Sequence, residues 1–410
     1  MTRPLSPSAN DVLSADAAVE RLVASIALTP LVEDVPLLES LGRVLARDLI
    51  TQFANPPHDN SAMDGYGIRV SDLAQSGETS LPVTIRVPAG DAPGAVLPIG
   101  QAARIFTGAP IPDGVDAVLP QEVCRTTEGH VSVPRPNGVG ENIRKKGEDF
   151  DVGDVVLRAG TVLRPQEIGL AAAIGQVSLP VFVRPKVAFF STGNEVYEPG
   201  QDLKPGGVYD MNRYTILSLL RVMGCEPIDL GILPDDKNAI MAALTDASTR
   251  ADVLMTSGGV SVGEEDHVKP AVEALGAIDF WKVSIRPGRP IAFGRVGHTP
   301  FLGLPGNPVS SMVCFMIFAR PFLARLSGRT RFALPMTLVP ASFEFRKRPG
   351  RREWLRGWVE NGQVHIYPNQ GSGVLSSMVA AQGLVDVPEE SEGFGVGEMV
   401  RFVSFAELWS

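Results

Sequence analysis

Acidic side chains follow three strand-like segments of the chain, each near the point where the strand is expected to end. Glu195 comes soon after the strand VAFFST, Asp235 follows IDLGIL, and Asp266 closes the acidic run after LMTSGGVSVG. The carboxyl ends of parallel strands meet at one edge of a sheet, so the three carboxylates are predicted to converge there. Oxygen ligands of this kind suit Mg²⁺, which often joins carboxylates to substrate phosphates. Asp266 also precedes a predicted helix, so N-capping is an alternative explanation for it.

Three turns rich in glycine and proline lie in the same part of the chain, namely GGVSVG, RPGRP and LPGNP. The backbone N–H groups of such turns, and the helix N-termini that follow them, favour anions. Gly258, Gly259 and Ser261 of the first turn are therefore candidate binding residues. Lys282 precedes the second turn and Arg286 opens it, and the two could supply a local positive patch, although a solvated surface has the same composition. A phosphorylated ligand is the first interpretation.

Two further loops place polar side chains in constrained positions. In NPPHDNSAMDGYGIR, two prolines fix a turn and two glycines flank Tyr66, which leaves Asp64 on a restricted loop. A turn aspartate that caps its own backbone would show the same pattern. Thr107 stands at the end of the strand-like run ARIFTG. Its hydroxyl could meet a phosphate or a metal-bound water, or simply complete a turn.

Hydrophobic periodicity indicates the elements that must position these residues. Strands and helices alternate from Lys186 to a helix after Pro308, which is typical of a mainly parallel sheet covered by helices. Short strand-like runs separated by Gly and Pro fill two other parts of the chain. The predicted fold class is multidomain α/β plus β. It consists of a parallel-sheet α/β domain, an inserted mostly β domain and a C-terminal β-barrel.

Four regions follow from this pattern. Residues 1–52 and 150–182 form a linking region that opens with an amphipathic helix, and residues 53–149 form the inserted domain. Residues 183–327 form the α/β domain, and residues 328–410 form the barrel.

Composition limits the classes of function. A chain of 410 residues with 44% hydrophobic content can bury several cores, and its net charge of −9 argues against general nucleic-acid binding. The three cysteines form no disulfide or zinc pattern, which suits a reducing cytoplasm. The N-terminus lacks a signal-peptide pattern, and the apolar run from Met312 to Phe318 is too short to span a bilayer. Neither secretion nor membrane insertion is expected.

Several of these segments form an ordered set along the chain: NPPHDNSAMDGYGIR, RIFTGAPIPDGVDAVLPQE, STGNEV, DMNRYTILSLLRVMG, TSGGVSVGEEDHVK, WKVSIRPGRP and LPGNPVSS. In this order and spacing they resemble the molybdopterin molybdenumtransferase family, known as MoeA and, in animals, as the E domain of gephyrin. The resemblance covers nearly the whole chain, and several of the blocks are specific to the family.

The resemblance implies an elongated homodimer of four-domain subunits, with a site between the molybdopterin-binding α/β domain of one subunit and the inserted domain of the other. The family inserts molybdenum from molybdate into adenylyl-molybdopterin and releases AMP in the presence of Mg²⁺. A molybdopterin adenylyltransferase and molybdoenzyme acceptors are the protein partners that this reaction implies. Nucleic acid and membranes are not expected partners.

Matching motifs also carry the family's residue roles onto this chain. The implied catalytic residues are Asp64, Thr107 and Asp149 on the inserted-domain side and Glu195, Asp235 and Asp266 in the α/β pocket, the last three also as metal ligands. The implied binding residues are Gly258, Gly259, Ser261, Lys282, Arg286, Pro305 and Pro308.

Two positions depart from the family pattern. Arg286 and Arg289 stand where lysines are common. The positive charge is kept, but the compact ammonium group of lysine is replaced by the planar guanidinium group of arginine. Asn194 stands where an aspartate is common, so Glu195 alone supplies the local charge of that loop.

Two alternative functions remain open from the sequence. Molybdopterin adenylyltransferases share the α/β domain and its GGVS-type loop, but they usually lack the Asp64 and Thr107 segments and the barrel. A binding scaffold of the gephyrin type is the other alternative, and the chain lacks the long Pro/Ser-rich linker that would favour it.

Overall fold

The structure is a computed structural model that describes residues 12–26, 31–259, 267–288 and 290–408. Within these ranges the chain packs as two compact units. The first unit takes the described residues of Met1–Ala46, Gly160–Arg164 and Ser178–Ser410, and the second comprises Arg47–Ala159 and Pro165–Val177. The four domain boundaries expected from the sequence stay a prediction.

A six-stranded sheet forms the centre of the first unit. Its first four strands are parallel neighbours, in the order Glu226–Leu233, Lys186–Thr192, Val253–Ser257 and Thr299–Leu304. Pro290–Val296 pairs antiparallel with the last of these, and Gly276–Lys282 pairs antiparallel with Pro290–Val296. The predicted mainly parallel sheet is confirmed.

The strand Lys186–Thr192 is apolar on both faces because helices cover both sides of the sheet. Val187 and Phe189 join the core on one face, whereas Ala188 and Phe190 join the core on the other. This continuous apolar run, followed by small polar residues, is typical of an interior parallel strand. The polar side chains of this strand, Ser191 and Thr192, therefore lie at its carboxyl end.

Helices of the first unit pack on both faces of this sheet or on the β domain that follows. They are Ala15–Ala24, Met211–Val222, Lys237–Ala247, Val268–Leu275, Pro308–Cys314, Arg320–Leu326, Ser376–Ala380 and Phe405–Leu408. A π-helical segment, Phe315–Ala319, joins two of them into one apolar helix from Pro308 to Leu326. This helix is longer than its most apolar run indicated and has the length and composition of a membrane span. Most of it is buried, and Phe315, Phe318 and Phe322 belong to the core beneath the sheet.

The end of the chain forms a small barrel. Its sheet runs in the order Ile285–Arg286, Arg352–Glu360, Gly383–Val387, Met399–Ser404 and Thr337–Pro340, with Gln363–Ile366 beside Arg352–Glu360. A bridge between Ala341 and Val364 links the last strand of that order to Gln363–Ile366 and closes the circuit. Alternate side chains of these strands fill the interior, among them Leu355, Val385 and Phe402.

The second unit is mostly β, as the sequence predicts. Its six-stranded sheet has the order Ala117–Pro120, Gly65–Ile68, Ala102–Ile105, Thr79–Val87, His130–Val133 and Arg125–Thr127. Two short ladders, Asn60–Ser61 with Ile143–Arg144 and Leu49–Ile50 with Val155–Leu157, and the helix Pro165–Ala173 complete it.

Short elements connect these layers. In the first unit the two-stranded ladders are Val32–Pro36 with Ser178–Phe182, Val196–Tyr197 with Val208–Tyr209, and Phe345–Arg346 with Gly393–Phe394. Short 3-10 helices lie at Leu37–Glu39 in the first unit and at Val70–Asp72 and Gln121–Val123 in the second.

Candidate functional site

A cleft of about 1100 Å³ lies at the carboxyl edge of the parallel strands in the first unit. It is lined by the residues that follow Lys186–Thr192, Val253–Ser257 and Thr299–Leu304, by the start of the helix Met211–Val222, and by a loop of the barrel. Ligands of open α/β sheets bind in this position, because the strand ends and the helix N-termini leave polar backbone groups there. The cleft is therefore the candidate site of this unit.

One wall of the cleft carries carboxylates. Glu195 and Asp235 both line it. Asp235 accepts hydrogen bonds from the hydroxyl of Thr192 and from the backbone N–H of Asn194, the latter at 3.1 Å. A Cβ at Gly193 would lie 2.9 Å from a carboxylate oxygen of Glu195, so glycine leaves the room that this side chain occupies. The structure thus brings together two of the three acids that the sequence places at the sheet edge.

A cation lies on another wall of the cleft. Arg286 is exposed, lines the cleft and approaches Glu353 at 3.6 Å between a guanidinium nitrogen and a carboxylate oxygen. Arg351 of the barrel also lines the cleft. Lys282 ends the strand Gly276–Lys282 with an exposed side chain, but it is not among the described residues that line the cleft.

The glycine and proline turns also line the cleft. Gly258 and Gly259 have φ angles of +92° and +64°, and a Cβ at Gly259 would lie 2.4 Å from a methyl carbon of Val268. Only glycine fits that combination of backbone conformation and close packing. Pro305 and Pro308 line the cleft as well.

Asn212 organises the turn that carries these prolines, a role that sequence reasoning did not assign to it. Its side-chain amide donates to the hydroxyl of Ser257 at 2.9 Å and to the carbonyl of Gly306 at 2.6 Å. The hydroxyl of Ser257 in turn donates to the carbonyl of Pro305 at 3.0 Å. The helix start, a strand end and the LPGNP turn are therefore held as one polar network.

The barrel supplies a loop that sequence reasoning also missed. Gln370, Gly371 and Ser372 line the cleft. Behind them the guanidinium of Arg356, which is 1% exposed, donates to the carbonyl of Gly371 at 2.9 Å and to the hydroxyl of Ser377 at 3.0 Å. Burial lowers the pKa of Arg356 to about 10, and the positive charge of Arg286 acts in the same direction. An anion in the cleft would be stabilised by this buried positive charge.

In the second unit, Asp64 and Thr107 form a pair. The carboxylate of Asp64 accepts from the backbone N–H of Thr107 at 2.7 Å and from its hydroxyl at 2.8 Å. These hydrogen bonds, first that of the backbone, hold the pKa of Asp64 below its ordinary value. Asp64 therefore binds a different loop rather than capping its own, and its side chain stays exposed.

Other charged groups of the second unit surround the loop of residues 144–149. A carboxylate oxygen of Asp149 accepts from the side-chain amide of Asn55 at 3.0 Å. Asp59 pairs with the ammonium of Lys145 at 2.7 Å and accepts from the backbone N–H of Lys146 at 2.9 Å, and these bonds lower the pKa of Asp59. The loop is thus anchored through its backbone and one of its lysines.

Ser261, Asp266 and Arg289 lie outside the described residues, as do Glu264 and Glu265. Within the described ranges no three His, Cys, Asp or Glu side chains come together as a metal site. Three acidic residues line the described cleft, namely Glu195, Asp210 and Asp235, and Asp210 caps the helix Met211–Val222.

The sheet, the cleft at its carboxyl edge and the accompanying β domains define a multidomain α/β protein with a candidate ligand site at the sheet edge. Three family models match the chain: the MoeA N-terminal region (domain I and II) over residues 13–175, the "Probable molybdopterin binding domain" over residues 188–325, and the MoeA C-terminal region (domain IV) over residues 339–405. The chain belongs to the MoeA family of molybdopterin molybdenumtransferases.

Individual relatives agree with this assignment. A molybdopterin molybdenumtransferase of Haemophilus influenzae is 38% identical over 97% of this chain and 100% of its own length. Molybdopterin molybdenumtransferase 2 of Mycobacterium tuberculosis is 35% identical over 90% of this chain and 93% of its own. The crystal structure of a molybdopterin biosynthesis MoeA protein from Pyrococcus horikoshii OT3 superposes with a TM-score of 0.85 at 33% identity, covering 96% of this chain and 100% of that one.

Proposed function

We propose that this protein inserts molybdenum from molybdate into adenylyl-molybdopterin and releases AMP, as a step of molybdenum cofactor biosynthesis. The observation that carries the proposal is the cleft of the first unit, whose lining includes the carboxylates of Glu195 and Asp235 and the guanidinium groups of Arg286 and Arg351. Both substrates are anions and the reaction opens a phosphate linkage. A cleft with both kinds of charge can bind the anions and hold a divalent cation beside them.

The donor set of the cleft fits Mg²⁺. Glu195 and Asp235 would hold the ion, because Mg²⁺ commonly takes one or two carboxylates and completes its coordination with water and substrate phosphate. When bound, the ion neutralises charge that develops on the phosphate oxygens. Asp266 is the third carboxylate that we assign to this ion from the family resemblance.

Other residues of the cleft bind and position the substrates. Arg286 and Arg351 bind the oxyanions of the substrates, and the buried Arg356 fixes the loop of Gln370–Ser372, which lines the same cleft. Gly258, Gly259, Pro305 and Pro308 line the cleft and shape the space for the substrate. We also assign Ser261 and Lys282 to substrate binding, from the resemblance alone.

Asp64, Thr107 and Asp149 act in the same reaction and come from the partner subunit of a homodimer. Asp64 is ionised and exposed, so it is available to a substrate. The second unit also exposes a group of apolar side chains on and beside the ladder Leu49–Ile50 with Val155–Leu157, namely Ile50, Phe53, Val152 and Val155. An exposed apolar patch of this kind is typical of a protein interface.

The protein is assigned to the cytoplasm. All three cysteines are unpaired, and burial raises the pKa of Cys225 to about 12 and that of Cys124 to about 11, which keeps both as thiols. A molybdopterin adenylyltransferase is the proposed source of the substrate, and molybdoenzymes are the proposed acceptors of the product.

The test is a discontinuous assay of AMP release from adenylyl-molybdopterin by the purified full chain with Mg²⁺, with and without molybdate. We expect release that depends on molybdate, together with transfer of molybdenum to a molybdenum-free acceptor enzyme. Formation of adenylyl-molybdopterin from ATP and molybdopterin, without molybdate-dependent release, would instead make the protein an adenylyltransferase.

A further inference from the structure

Two arginines face each other on the six-stranded sheet of the second unit. Arg86 lies on the strand Thr79–Val87 and Arg104 on the neighbouring strand Ala102–Ile105, and the two are direct partners in the parallel register. Both guanidinium carbons lie over the ring of Phe106, at 4.8 Å from its centroid for Arg86 and 4.7 Å for Arg104. The sheet and the shared ring thus hold two positive charges side by side. We call these two residues the arginine pair.

The charges of the arginine pair are not neutralised by an ion pair in the described part of the chain. Arg86 is exposed and, among the same residues, forms neither a side-chain hydrogen bond nor a salt bridge. Arg104 donates to the backbone carbonyl of Gly65 at 3.0 Å and to the side-chain carbonyl of Gln121 at 2.6 Å, and both acceptors are uncharged. Like charges that face each other across neighbouring strands destabilise a sheet. A bound anion would offset this repulsion.

Both guanidinium groups can donate to a ligand from solvent. Arg86 is exposed, and its N–H groups have no acceptor among the described residues. Arg104 is half-buried, and its Nε, which has no such acceptor either, is not one of the buried polar atoms. Stacking on an aromatic ring orients the plane of a guanidinium, and the planar set of N–H donors matches the oxygens of phosphate-like anions.

The arginine pair lies beside Asp64 and Thr107, the two residues to which we assign a part in the reaction. Arg104 binds the side chain of Gln121, whose backbone N–H donates to the backbone carbonyl of Asp64 at 3.0 Å. The hydrogen bonds from Thr107 are the main cause of the lowered pKa of Asp64, and the positive charge of Arg104 lowers it further. The strand of Arg104 lies between the strand that follows Asp64 and the strand of Arg86. Arg86 is therefore on the side of Arg104 away from this carboxylate.

We propose that the arginine pair binds a tetrahedral oxyanion, which is either the phosphate group of AMP or molybdate. Two neighbouring guanidinium groups can donate to different oxygens of such an anion, and the bound negative charge reduces the repulsion between them. The choice of these two anions rests on the proposed function. The inference adds to that function an anion-binding site in the second unit, whereas the cleft belongs to the first.

Protection of arginine side chains from phenylglyoxal tests this site on the full chain. The reagent modifies accessible guanidinium groups, and peptide mass spectrometry reports the modification of Arg86 separately from that of Arg286 in the cleft. We expect AMP or molybdate at saturating concentration to slow the modification of Arg86 by about fivefold or more, at an ionic strength held constant with chloride. Adenosine, which lacks the phosphate, should leave the rate unchanged.

Arg125 is the matched control for both parts of the test. It is exposed on the strand Arg125–Thr127 of the same sheet, and its guanidinium lies 3.9 Å from a carboxylate oxygen of Glu78. Its rate of modification should be the same with and without each anion. In the assay of AMP release, Arg125→Gln should match the wild type.

The two sources of the oxyanion are distinguished by dose and by kinetics. The anion that protects Arg86 at the lower concentration identifies the source. Arg86→Gln should raise KM by about fivefold or more, for adenylyl-molybdopterin if the phosphate is bound and for molybdate if the metal oxyanion is bound. Arg86→Lys keeps the charge and should restore part of this loss. Far-UV circular dichroism shows whether each variant is folded.

The outcomes separate this inference from the proposed function. Modification of Arg86 at the same rate with and without both anions overturns the inference, as does a KM of Arg86→Gln that equals the wild-type value for both substrates. If the wild type releases AMP in a molybdate-dependent manner while Arg86 is not protected, the inference fails and the proposed function stands. If Arg86 is protected but no AMP is released, the proposed function fails and the oxyanion site stands.

Discussion

Asp64 and Thr107 show how one pair of side chains sets a charge in the second unit. Two hydrogen bonds from Thr107 stabilise the ionised form of Asp64, so the pKa of Asp64 is below its ordinary value. The sequence indicates each residue as a candidate. It does not predict their bond, because they lie on loops separated by 43 positions, and no local pattern reports that contact.

The substitution Thr107→Val removes the hydroxyl bond and keeps the backbone bond. We expect the pKa of Asp64 to rise toward its ordinary value, measured by carboxyl carbon NMR as a function of pH. The acidic limb of the activity profile should move to higher pH in the same variant.

Because the folded pKa is depressed, Asp64 contributes stability above its ordinary pKa, and this contribution is lost as pH falls through the folded pKa. Thr127→Val is the control and should leave the pKa of Asp64 as it is in the wild type. If the pKa of Asp64 is also unchanged in Thr107→Val, this account is contradicted.

Helices and strands of the α/β domain follow from hydrophobic periodicity, whereas the loop from the barrel does not. The alternation of strands and helices predicts the sheet edge where Glu195 and Asp235 meet. Arg351 and Ser372 reach the same cleft from a different β sheet. The position of these two residues in the cleft depends on long-range packing of the barrel, which hydrophobic periodicity does not report. Asn212 was missed for a related reason, since its partners Ser257 and Gly306 belong to other elements.

The close packing of the turn after Val253–Ser257 can be tested by substituting its two glycines. A Cβ at Gly259 would lie 2.4 Å from Val268 and 2.8 Å from Thr192, and its φ is +64°. Gly259→Ala should lower the free energy of unfolding by about 2 kcal/mol or more. Gly258→Ala should cost less, about 1 kcal/mol, because its Cβ would meet only a carbonyl oxygen at 3.3 Å. Urea unfolding followed by far-UV circular dichroism measures both, and equal losses would contradict the packing argument.

For the molecule as a whole, the fold class follows from composition and motif order, whereas the homodimer is implied by the family resemblance alone and stays a prediction. Composition and motif order indicate a multidomain α/β plus β protein, which the structure and the family assignment confirm. The proposed dimer interface has only a weak signal in the sequence, because apolar residues such as Phe53 and Val152 cannot be recognised as exposed until the surface is known.

The proposed homodimer predicts the behaviour of two matched variants. Phe53→Asp places a charge on the apolar patch of the second unit and should shift the protein toward a monomer at micromolar concentration. Leu338→Asp changes a side chain of similar exposure in the barrel strand Thr337–Pro340 and should leave the dimer intact. Sedimentation velocity distinguishes these outcomes. A monomeric wild type, or equal dissociation of both variants, would count against this interface.

The adenylylated substrate is proposed to react in the cleft at the carboxyl edge of the sheet. The most direct measurement is the rate of molybdate-dependent AMP release by the wild type and by Arg286→Gln, with Arg250→Gln as a surface control that removes an exposed pair with Asp246. We expect Arg286→Gln to lower kcat/KM about tenfold or more, because a charge-assisted bond to an oxyanion is lost, and Arg250→Gln to match the wild type. Equal rates for all three proteins would contradict the account.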